Sequence, residues 1–255
     1  KIVVVLDNDE CTGQYVLASV FHTHILSTCK NINYDKLVDL FVNYYLKINN
    51  SKPNPNNISL VGCARPGLFF LLRLLQDYKE HNIIHKVVMY TSAPNEDNWV
   101  LFLKDCLEKY ADCKNLFDLV LHRGSFPKAQ VTKTGATVKN LKNVFNNKII
   151  NPNNLSADHF KIIMLDDNPQ NIKKFHKNNY VYGVSPYNHM IGRNNLRKFI
   201  QIIFNEFNCD NKRQFFQEII EDPDFKLTEH YEPSNDTELI KFMKDLNLFI
   251  VDKFP

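Results

Sequence analysis

Short apolar runs alternate along this chain with longer stretches in which apolar residues recur every three or four positions. Two runs, Val3-Val4-Val5-Leu6 and Ile162-Ile163-Met164-Leu165, are apolar throughout, which is typical of strands buried on both faces. Shorter runs predict further strands at residues 58–61, 87–90, 117–121 and 180–184. Because the strands alternate with helices, we expect an α/β fold, a Rossmann-like parallel sheet flanked by helices.

Apolar residues at helical spacing predict the helices between these strands. In Arg65-Pro66-Gly67, Pro66 suits the first turn of a helix that runs to about residue 80. The other predicted helices occupy residues 14–28, 35–48, 97–110, 137–145, 193–207, 211–220 and 236–248.

The predicted elements divide the chain into a core and an extension. Residues 1–190 are predicted to form the α/β core, and residues 191–255 a helical extension packed on it. The segment 14–57 is long for a simple crossover, so it is predicted to contain a small helical cap or insertion.

Composition narrows the classes of function only slightly. The chain has 31 Lys and Arg against 28 Asp and Glu, a net charge of +3 that neither indicates nor excludes nucleic acid as a partner. No apolar stretch has membrane-spanning length and no signal peptide is evident, so we expect a soluble intracellular protein of the cytoplasm or nucleus. Six scattered cysteines without a C-x-x-C pair argue against a zinc module and favour a reducing compartment. The oligomeric state stays open.

Both fully apolar runs end in paired carboxylates. Asp7 and Asp9 follow the first run, and Asp166 and Asp167 follow the second. Open α/β sheets bind ligands beyond the carboxyl ends of their strands, and acidic groups gathered there would repel unless a hard divalent cation joined them. Each pair taken alone could instead cap the next helix. Their joint occurrence favours a metal-assisted reaction, in which one aspartate is the nucleophile and a second carboxylate transfers protons.

Two further segments offer groups that suit a phosphate. Thr91 and Ser92 follow the run 87–90 and could hold a phosphate oxygen, or could cap the next helix. Lys139, at the start of a predicted helix, would offset the charge of Asp7 and of an incoming phosphate, although most lysines are simply solvated.

A basic loop and a histidine pair each allow two interpretations. Arg123, Lys128 and Lys133 crowd a loop that either faces an acidic or phosphorylated partner or is merely solvated. His22 and His24 lie two residues apart on a predicted helix, where their side chains would face apart, so surface or packing roles are favoured over a metal site.

Taken in order, these segments resemble the haloacid dehalogenase superfamily of aspartate-nucleophile phosphatases. The resemblance covers about residues 1–190 and is sharpest with the phosphatases that act on the C-terminal domain of RNA polymerase II. The whole set in order is specific, whereas each piece alone is weak. The motifs that carry it are Asp7-Asn8-Asp9-Glu10, Arg65-Pro66-Gly67, Tyr90-Thr91-Ser92-Ala93, Val138-Lys139-Asn140-Leu141 and Ile163-Met164-Leu165-Asp166-Asp167-Asn168-Pro169.

The resemblance implies a haloacid-dehalogenase-like fold and a Mg²⁺-dependent phosphatase that works through a phospho-aspartate. Asp7 would be the nucleophile, with its other oxygen on Mg²⁺. Asp9 would be the general acid and base, and its backbone carbonyl would also touch the metal. Asp167 would be a metal ligand, and Asp166 would support the metal site.

On the substrate side, the resemblance implies that Thr91, with Ser92, binds the phosphoryl oxygens and that Lys139 stabilises the phospho-aspartate. Arg123 falls roughly where the family has a phosphate-contacting arginine. Two positions depart from the family pattern: Cys11 stands where the family has threonine, with a threonine one residue later, and Asn8 replaces an apolar residue. Neither change removes a catalytic group, although Cys11 could loosen the turn that orients the second aspartate.

The implied substrate is a phosphorylated protein or peptide carrying phosphoserine or phosphothreonine. A second hypothesis is a phosphatase for nucleic-acid ends or small metabolites, because this fold hosts many substrates. A third is a non-catalytic binding module, against which the presence of every charged catalytic position argues.

Overall fold

The computed structural model describes residues 1–46, 63–125, 138–189, 193–209, 217 and 236–251. The strands in these ranges are β1 (Ile2–Leu6), β2 (Cys29–Lys30), β3 (Lys86–Tyr90), β4 (Leu119–Leu121), β5 (Lys139–Asn140), β6 (Lys161–Asp166), β7 (Ile172–Lys173), β8 (Asn179–Gly183) and β9 (Asn208–Cys209). The α-helices are α1 (Val16–Thr28), α2 (Tyr34–Phe41), α3 (Leu68–Glu80), α4 (Trp99–Tyr110), α5 (Leu141–Phe145), α6 (Arg193–Glu206) and the C-terminal helix (Glu238–Val251).

Five of these strands form a parallel sheet in the order β4-β3-β1-β6-β8. The chain places β3 and β4 on one side of β1 and then crosses over to place β6 and β8 on the other. In open α/β sheets, this reversal creates a ligand-binding crevice at the carboxyl ends of the two strands that flank it. The predicted α/β class and Rossmann-like parallel sheet are confirmed.

The central strand β1 is buried along its whole length, which explains its unbroken apolar run. Successive side chains of a strand point to opposite faces, so Val3 and Val5 pack on one side of the sheet with Phe160. Val4 and Leu6 belong to the larger core on the other side. Two apolar layers therefore hold the carboxyl edge of the sheet in place.

An aromatic cluster packs the helical flank together. The ring of Phe199 in α6 lies 5.6 Å from that of Phe21 in α1 and 5.2 Å from that of Phe41 in α2, measured between ring centroids. Phe41 in turn contacts Phe102 of α4 edge-on at 4.9 Å. Helices α1 and α2 fall within the predicted cap segment.

Some predictions fall on residues that the structure does not describe. The predicted strand 58–61 lies entirely outside the described residues, and of the predicted helix 211–220 only residue 217 is described. The predicted boundary between core and extension at residue 190 stays a prediction.

One local prediction was wrong. Lys139 does not begin a helix but lies in β5, which pairs in parallel with β7. The side chain of Asn140 accepts a hydrogen bond from the backbone N–H of Lys142, so this N-cap delays the start of α5 to Leu141. After Asn168, the chain makes only a short 3₁₀ turn, Pro169–Asn171, because it then enters β7.

One disulfide changes the interpretation of the cysteines. Cys29 and Cys209, which are 180 residues apart in sequence, are joined where β2 pairs with β9. Disulfides are rare in reducing compartments, so this pair removes the support that the cysteine pattern gave to such a location. Within the described ranges, no helix is both long enough and apolar enough to cross a bilayer.

His22 of α1 is buried among aromatic side chains. Its ring lies 4.4 Å from that of Phe102 and 5.6 Å from that of Trp99, between centroids, and its Nδ1 has no hydrogen-bond partner among the described residues. Burial lowers the pKa of His22 to about 4, against a smaller opposing effect from Asp97. The folded protein therefore favours the neutral imidazole.

We expect the His22→Phe variant to lose less unfolding free energy than the wild type as the pH falls from 7 to 4. In the unfolded chain the pKa of this histidine has its ordinary value of 6.5, whereas in the folded protein it is about 4. The stability contributed by the neutral ring is thus fully present above about pH 6.5 and is lost as the pH falls toward 4, by roughly 3 kcal/mol. Urea unfolding at pH 7, 5 and 4 measures this difference.

The exposed His159 provides the control for the loss of a histidine. We expect His159→Gln to retain the pH dependence of the wild-type unfolding free energy, while His22→Phe reduces it. An equal loss of stability toward pH 4 in the wild type and in His22→Phe would contradict the assignment.

Candidate active site

The predicted site residues meet at the carboxyl edge of the sheet. Asp7 directly follows β1, Thr91 follows β3, and Asp166 ends β6. The backbone N–H of Asp7 donates to the carbonyl of Leu165 at 3.0 Å, and that of Thr91 donates to the carbonyl of Leu121 at 2.9 Å. The hydrogen bonding of the sheet therefore continues into the site and fixes the backbone of Asp7 and Thr91.

Lys139 is the charge at the centre of the site. Its Nζ lies 2.6 Å from Oδ1 of Asp7 and 2.7 Å from Oδ2 of Asp166. The lysine is only 4% exposed, and the pairing of β5 with β7 holds its backbone beside the sheet. The other carboxylate oxygen of Asp166 accepts the backbone N–H of Asn168 at 2.8 Å. A buried lysine bonded to two carboxylates is a built feature of the site and not a solvated surface group.

Burial and charge oppose each other at these groups. Burial alone would lower the pKa of Lys139, but the carboxylates of Asp7 and Asp166 raise it above the ordinary lysine value. Burial raises the pKa of Asp7 well above the ordinary value, although the ammonium of Lys139 works against that increase. Lys139 therefore stays charged and favours the ionised form of Asp7.

Three carboxylates form a group suited to a divalent cation. Carboxylate oxygens of Asp7, Asp166 and Asp167 lie within 4.8 Å of one another. Burial raises the pKa of Asp167, and the charge of Asp166 adds to the increase. One ammonium against three acidic groups leaves an excess of negative charge, and an all-oxygen donor set fits Mg²⁺. The residues present therefore fit the predicted cofactor.

Asp9 lies beside this group and not within it. Its Oδ2 accepts a hydrogen bond from Oγ1 of Thr91 at 3.4 Å, and Oγ1 in turn accepts the backbone N–H of Ala93 at 3.0 Å. Burial raises the pKa of Asp9 to about 6, with Lys139 and the Thr91 hydroxyl opposing the increase. The predicted contact between its backbone carbonyl and the metal stays a prediction.

The turn that carries Asp9 is tightly bonded despite its unusual sequence. The backbone N–H groups of Cys11 and Thr12 donate to the carbonyl of Asn8 at 3.1 and 2.9 Å, and the Thr12 hydroxyl donates to the same oxygen at 3.2 Å. A Cβ at Gly13 would approach the Tyr15 ring to 2.4 Å, so glycine is required there. The displaced threonine thus stabilises the turn. The buried amide of Asn8 makes no hydrogen bond within the described residues.

A second layer of contacts holds this turn, and the sequence pattern did not predict it. The guanidinium of Arg65 donates from Nη1 to the carbonyl of Cys11 at 3.0 Å, and its backbone N–H donates to the carbonyl of Thr12 at 2.9 Å. The same guanidinium contacts the carboxylate of Asp236 at 3.0 and 3.1 Å. The only sequence signal was the arginine before Pro66, and nothing in the pattern singled out its distant partner.

The site residues line a cavity of about 280 Å³ that opens to solvent. Arg123 reaches its edge, where Nε donates to the carbonyl of Ser92 at 2.9 Å and the backbone N–H donates to the carbonyl of Ala93 at 3.0 Å. Lys128 and Lys133 lie outside the described residues. The lining residues are Asp7, Asp9, Glu10, Thr91, Ser92, Arg123, Lys139, Asp166, Asp167, Asn168, Asn171 and Ile172.

The two side chains of the histidine pair lie in different surroundings. His22 packs into the aromatic core, as described above, whereas His24 faces a second cavity, so the two side chains point apart as the helical spacing predicted.

Comparisons with known proteins add little. No protein-family model and no curated protein matches the sequence. Among solved structures, one similar chain is a Thermotoga maritima protein assigned as a beta-phosphoglucomutase, at 13% sequence identity and a TM-score of 0.33; the match covers 78% of this chain and 91% of that chain. So weak a similarity identifies neither family nor chemistry. The predicted resemblance to the polymerase C-terminal-domain phosphatases gains no support from it.

Proposed function

We propose that this protein is a Mg²⁺-dependent phosphatase that hydrolyses a phosphomonoester through a phospho-aspartate on Asp7. The observation that carries the proposal is the buried ammonium of Lys139, which bridges Asp7 and Asp166 within an acidic group at the crevice of the sheet. A purely structural ion pair would not require a third carboxylate, Asp167, in an open cavity. Phosphoryl transfer needs this combination of a positioned nucleophile and fixed positive charge.

In the first step of the proposed reaction, a carboxylate oxygen of Asp7 forms a bond to phosphorus while the bond from phosphorus to the leaving oxygen breaks. Asp9 gives its proton to that oxygen, so the product leaves as an alcohol. Lys139 neutralises charge beside the nucleophile throughout. A bound Mg²⁺, held by Asp7, Asp166 and Asp167, would supply further stabilisation of charge on the phosphoryl oxygens.

The second step regenerates the enzyme. Asp9, now ionised, takes a proton from water, the hydroxide oxygen bonds to phosphorus, and the bond to Asp7 breaks to release inorganic phosphate. In this proposal, the Thr91 hydroxyl, Ser92 and Arg123 contact the phosphoryl oxygens during both steps. Their place in the lining of the cavity, and the hydrogen bond from Thr91 to Asp9, support these roles.

For the substrate, we propose phosphoserine or phosphothreonine in a protein or peptide. Arg123 at the edge of an open cavity supports this choice, because arginine recognises phosphate and acidic neighbours in extended ligands. Turnover of a phosphoserine peptide, a 3′-phosphorylated oligonucleotide and a sugar phosphate, measured side by side, discriminates this substrate from the alternatives.

Hydrolysis of p-nitrophenyl phosphate with and without Mg²⁺ tests the proposed function. We expect turnover that depends on Mg²⁺ and is suppressed by EDTA, because the acidic group needs a cation to accept a dianionic ester. A parallel measurement of the thermal midpoint should show stabilisation by millimolar Mg²⁺, since the ion binds only the folded site. Undiminished turnover in EDTA, or no turnover of any phosphomonoester with Mg²⁺, would contradict the proposal.

A further inference from the structure

A second cavity, of about 550 Å³, adjoins the catalytic one. Asp9, Ser92 and Arg123 line both cavities, whereas Asp7 and Lys139 line only the smaller one. The two spaces therefore meet at Asp9. The remaining residues of the larger cavity are Val16, Ser19, Val20, Thr23, His24, Ala93, Pro94, Glu96 and Trp99.

One wall of this cavity is an unusual face of α1. Val16, Ser19, Val20 and Thr23 recur at helical spacing and line the cavity, while the opposite face of the helix is buried in the core. The outward face of such a helix is usually charged, yet α1 contains no Asp, Glu, Lys or Arg. Val16 and Val20 therefore face an open cavity, at positions where a helix facing solvent usually has charged residues.

The opposite wall also presents apolar residues to the cavity. These are Ala93 and Pro94, which follow β3, and Trp99 at the start of α4. Polar side chains share the lining with these residues: Ser19, Thr23, His24 and Glu96, besides Asp9, Ser92 and Arg123 where the two cavities meet. A cavity of this size, with apolar side chains on both walls and polar groups between them, has the character of a site for an organic ligand.

We infer that this larger cavity, which we call the leaving-group cavity, holds an apolar or aromatic body carried by the alcohol of the substrate. The inference rests on the proposed function. In that reaction the leaving oxygen must lie within hydrogen-bond reach of Asp9 and on the side of phosphorus away from Asp7. Since the leaving-group cavity contains Asp9 but not Asp7, the alcohol extends into it. The apolar residues on its two walls, Val16 and Val20 against Ala93, Pro94 and Trp99, then favour esters with apolar bodies over polyhydroxylated ones.

The test compares a phosphomonoester with an apolar body against an acyl phosphate with almost no body. 2-Naphthyl phosphate would fill the leaving-group cavity, whereas acetyl phosphate needs only the catalytic one. We expect Val20→Trp, which fills the cavity, and Thr23→Trp, which narrows its exposed rim, to lower the ratio of kcat/KM for naphthyl over acetyl phosphate at least tenfold, chiefly through KM. Leu26→Trp, at an exposed position of the same helix, is the matched control and should retain the wild-type ratio.

Two outcomes separate the inference from the proposed function. If wild-type protein hydrolyses acetyl phosphate but the ratio is unchanged in both Val20→Trp and Thr23→Trp, the leaving-group cavity is not the binding site and the inference fails alone. If wild-type protein hydrolyses neither compound with Mg²⁺, the proposed function fails and the inference fails with it. Because Thr23 is exposed, its variant keeps the test valid even where Val20→Trp does not fold.

Peptide substrates identify the source of the apolar body. Two phosphoserine peptides that differ only in Phe or Ser beside the phosphoserine are compared in the wild type and in Thr23→Trp. A wild-type preference for the Phe peptide that Thr23→Trp abolishes assigns the body to a peptide side chain. Equal turnover of the two peptides, together with the loss of naphthyl phosphate turnover, assigns it to a small ester.

Discussion

Asp7→Asn is expected to reduce kcat for p-nitrophenyl phosphate by on the order of a thousandfold or more, because an amide cannot form the covalent intermediate. Asparagine matches aspartate in size, so the backbone hydrogen bond from residue 7 to the Leu165 carbonyl should persist. The substitution also removes the partner of Lys139 at 2.6 Å, while Asp166 still pairs with that ammonium. Steady-state kinetics with Mg²⁺, together with circular dichroism, measure the effect and the integrity of the fold.

Asp35, exposed in the first turn of α2, lines neither cavity and provides a matched Asp→Asn control. We expect Asp35→Asn to retain wild-type kcat. Asp9→Asn should differ from both variants. A substrate with a good leaving group can still phosphorylate Asp7 without a proton from residue 9, so the step that becomes slow is hydrolysis of the phospho-aspartate. Full activity of Asp7→Asn would refute the assignment of the nucleophile.

Asp236→Asn is expected to destabilise the protein by about 3 kcal/mol and to reduce kcat. The side chains of Arg65 and Asp236 are 1% and 3% exposed, so removal of one charge leaves the other buried without its counter-ion. Asparagine retains the size of the side chain and can still accept the backbone N–H of Glu238. Because Arg65 also holds the carbonyl of Cys11, the turn that carries Asp9 loses a fixed neighbour.

The ion pair between Glu238 and Lys241, in the same helix at 2.9 Å, is the natural control because both side chains are partly exposed. Glu238→Gln should change the unfolding free energy by no more than about 0.5 kcal/mol. Urea unfolding gives both free energies, and kcat and KM for p-nitrophenyl phosphate separate a positioning effect from simple loss of folded protein. If Asp236→Asn changes the unfolding free energy and kcat as little as Glu238→Gln does, the pair of Arg65 and Asp236 does not stabilise the turn that carries Asp9.

The parts of the structure that were predictable from the sequence are those that local patterns determine. A strand buried on both faces must be apolar throughout, so β1 and β6 could be placed within a residue or two. The position of Asp7 and Asp166 at one edge then follows from parallel pairing of these strands. The resemblance to a family predicts Lys139 beside Asp7, and the structure brings the two together.

The features that escaped prediction depend on contacts between distant segments. The partner of Arg65 lies 171 residues away, and that of Cys29 lies 180 residues away, so no local periodicity reveals either pair. The start of α5 was misplaced because the N-cap of Asn140 and the pairing of β5 with β7 compete with helix formation around Lys139. The leaving-group cavity also arises from packing, since α1 meets the segment after β3 only in the folded chain.

The most direct test of the central claim is to identify the residue that becomes phosphorylated. The protein is mixed with p-nitrophenyl phosphate and Mg²⁺, quenched in acid within milliseconds and reduced with borohydride, which converts an aspartyl phosphate to homoserine. Peptide mass spectrometry should find homoserine at position 7, in amounts that decline when Mg²⁺ is omitted. Homoserine at position 9 or 166, or turnover without any reduced aspartate, would contradict the claim that Asp7 is the nucleophile.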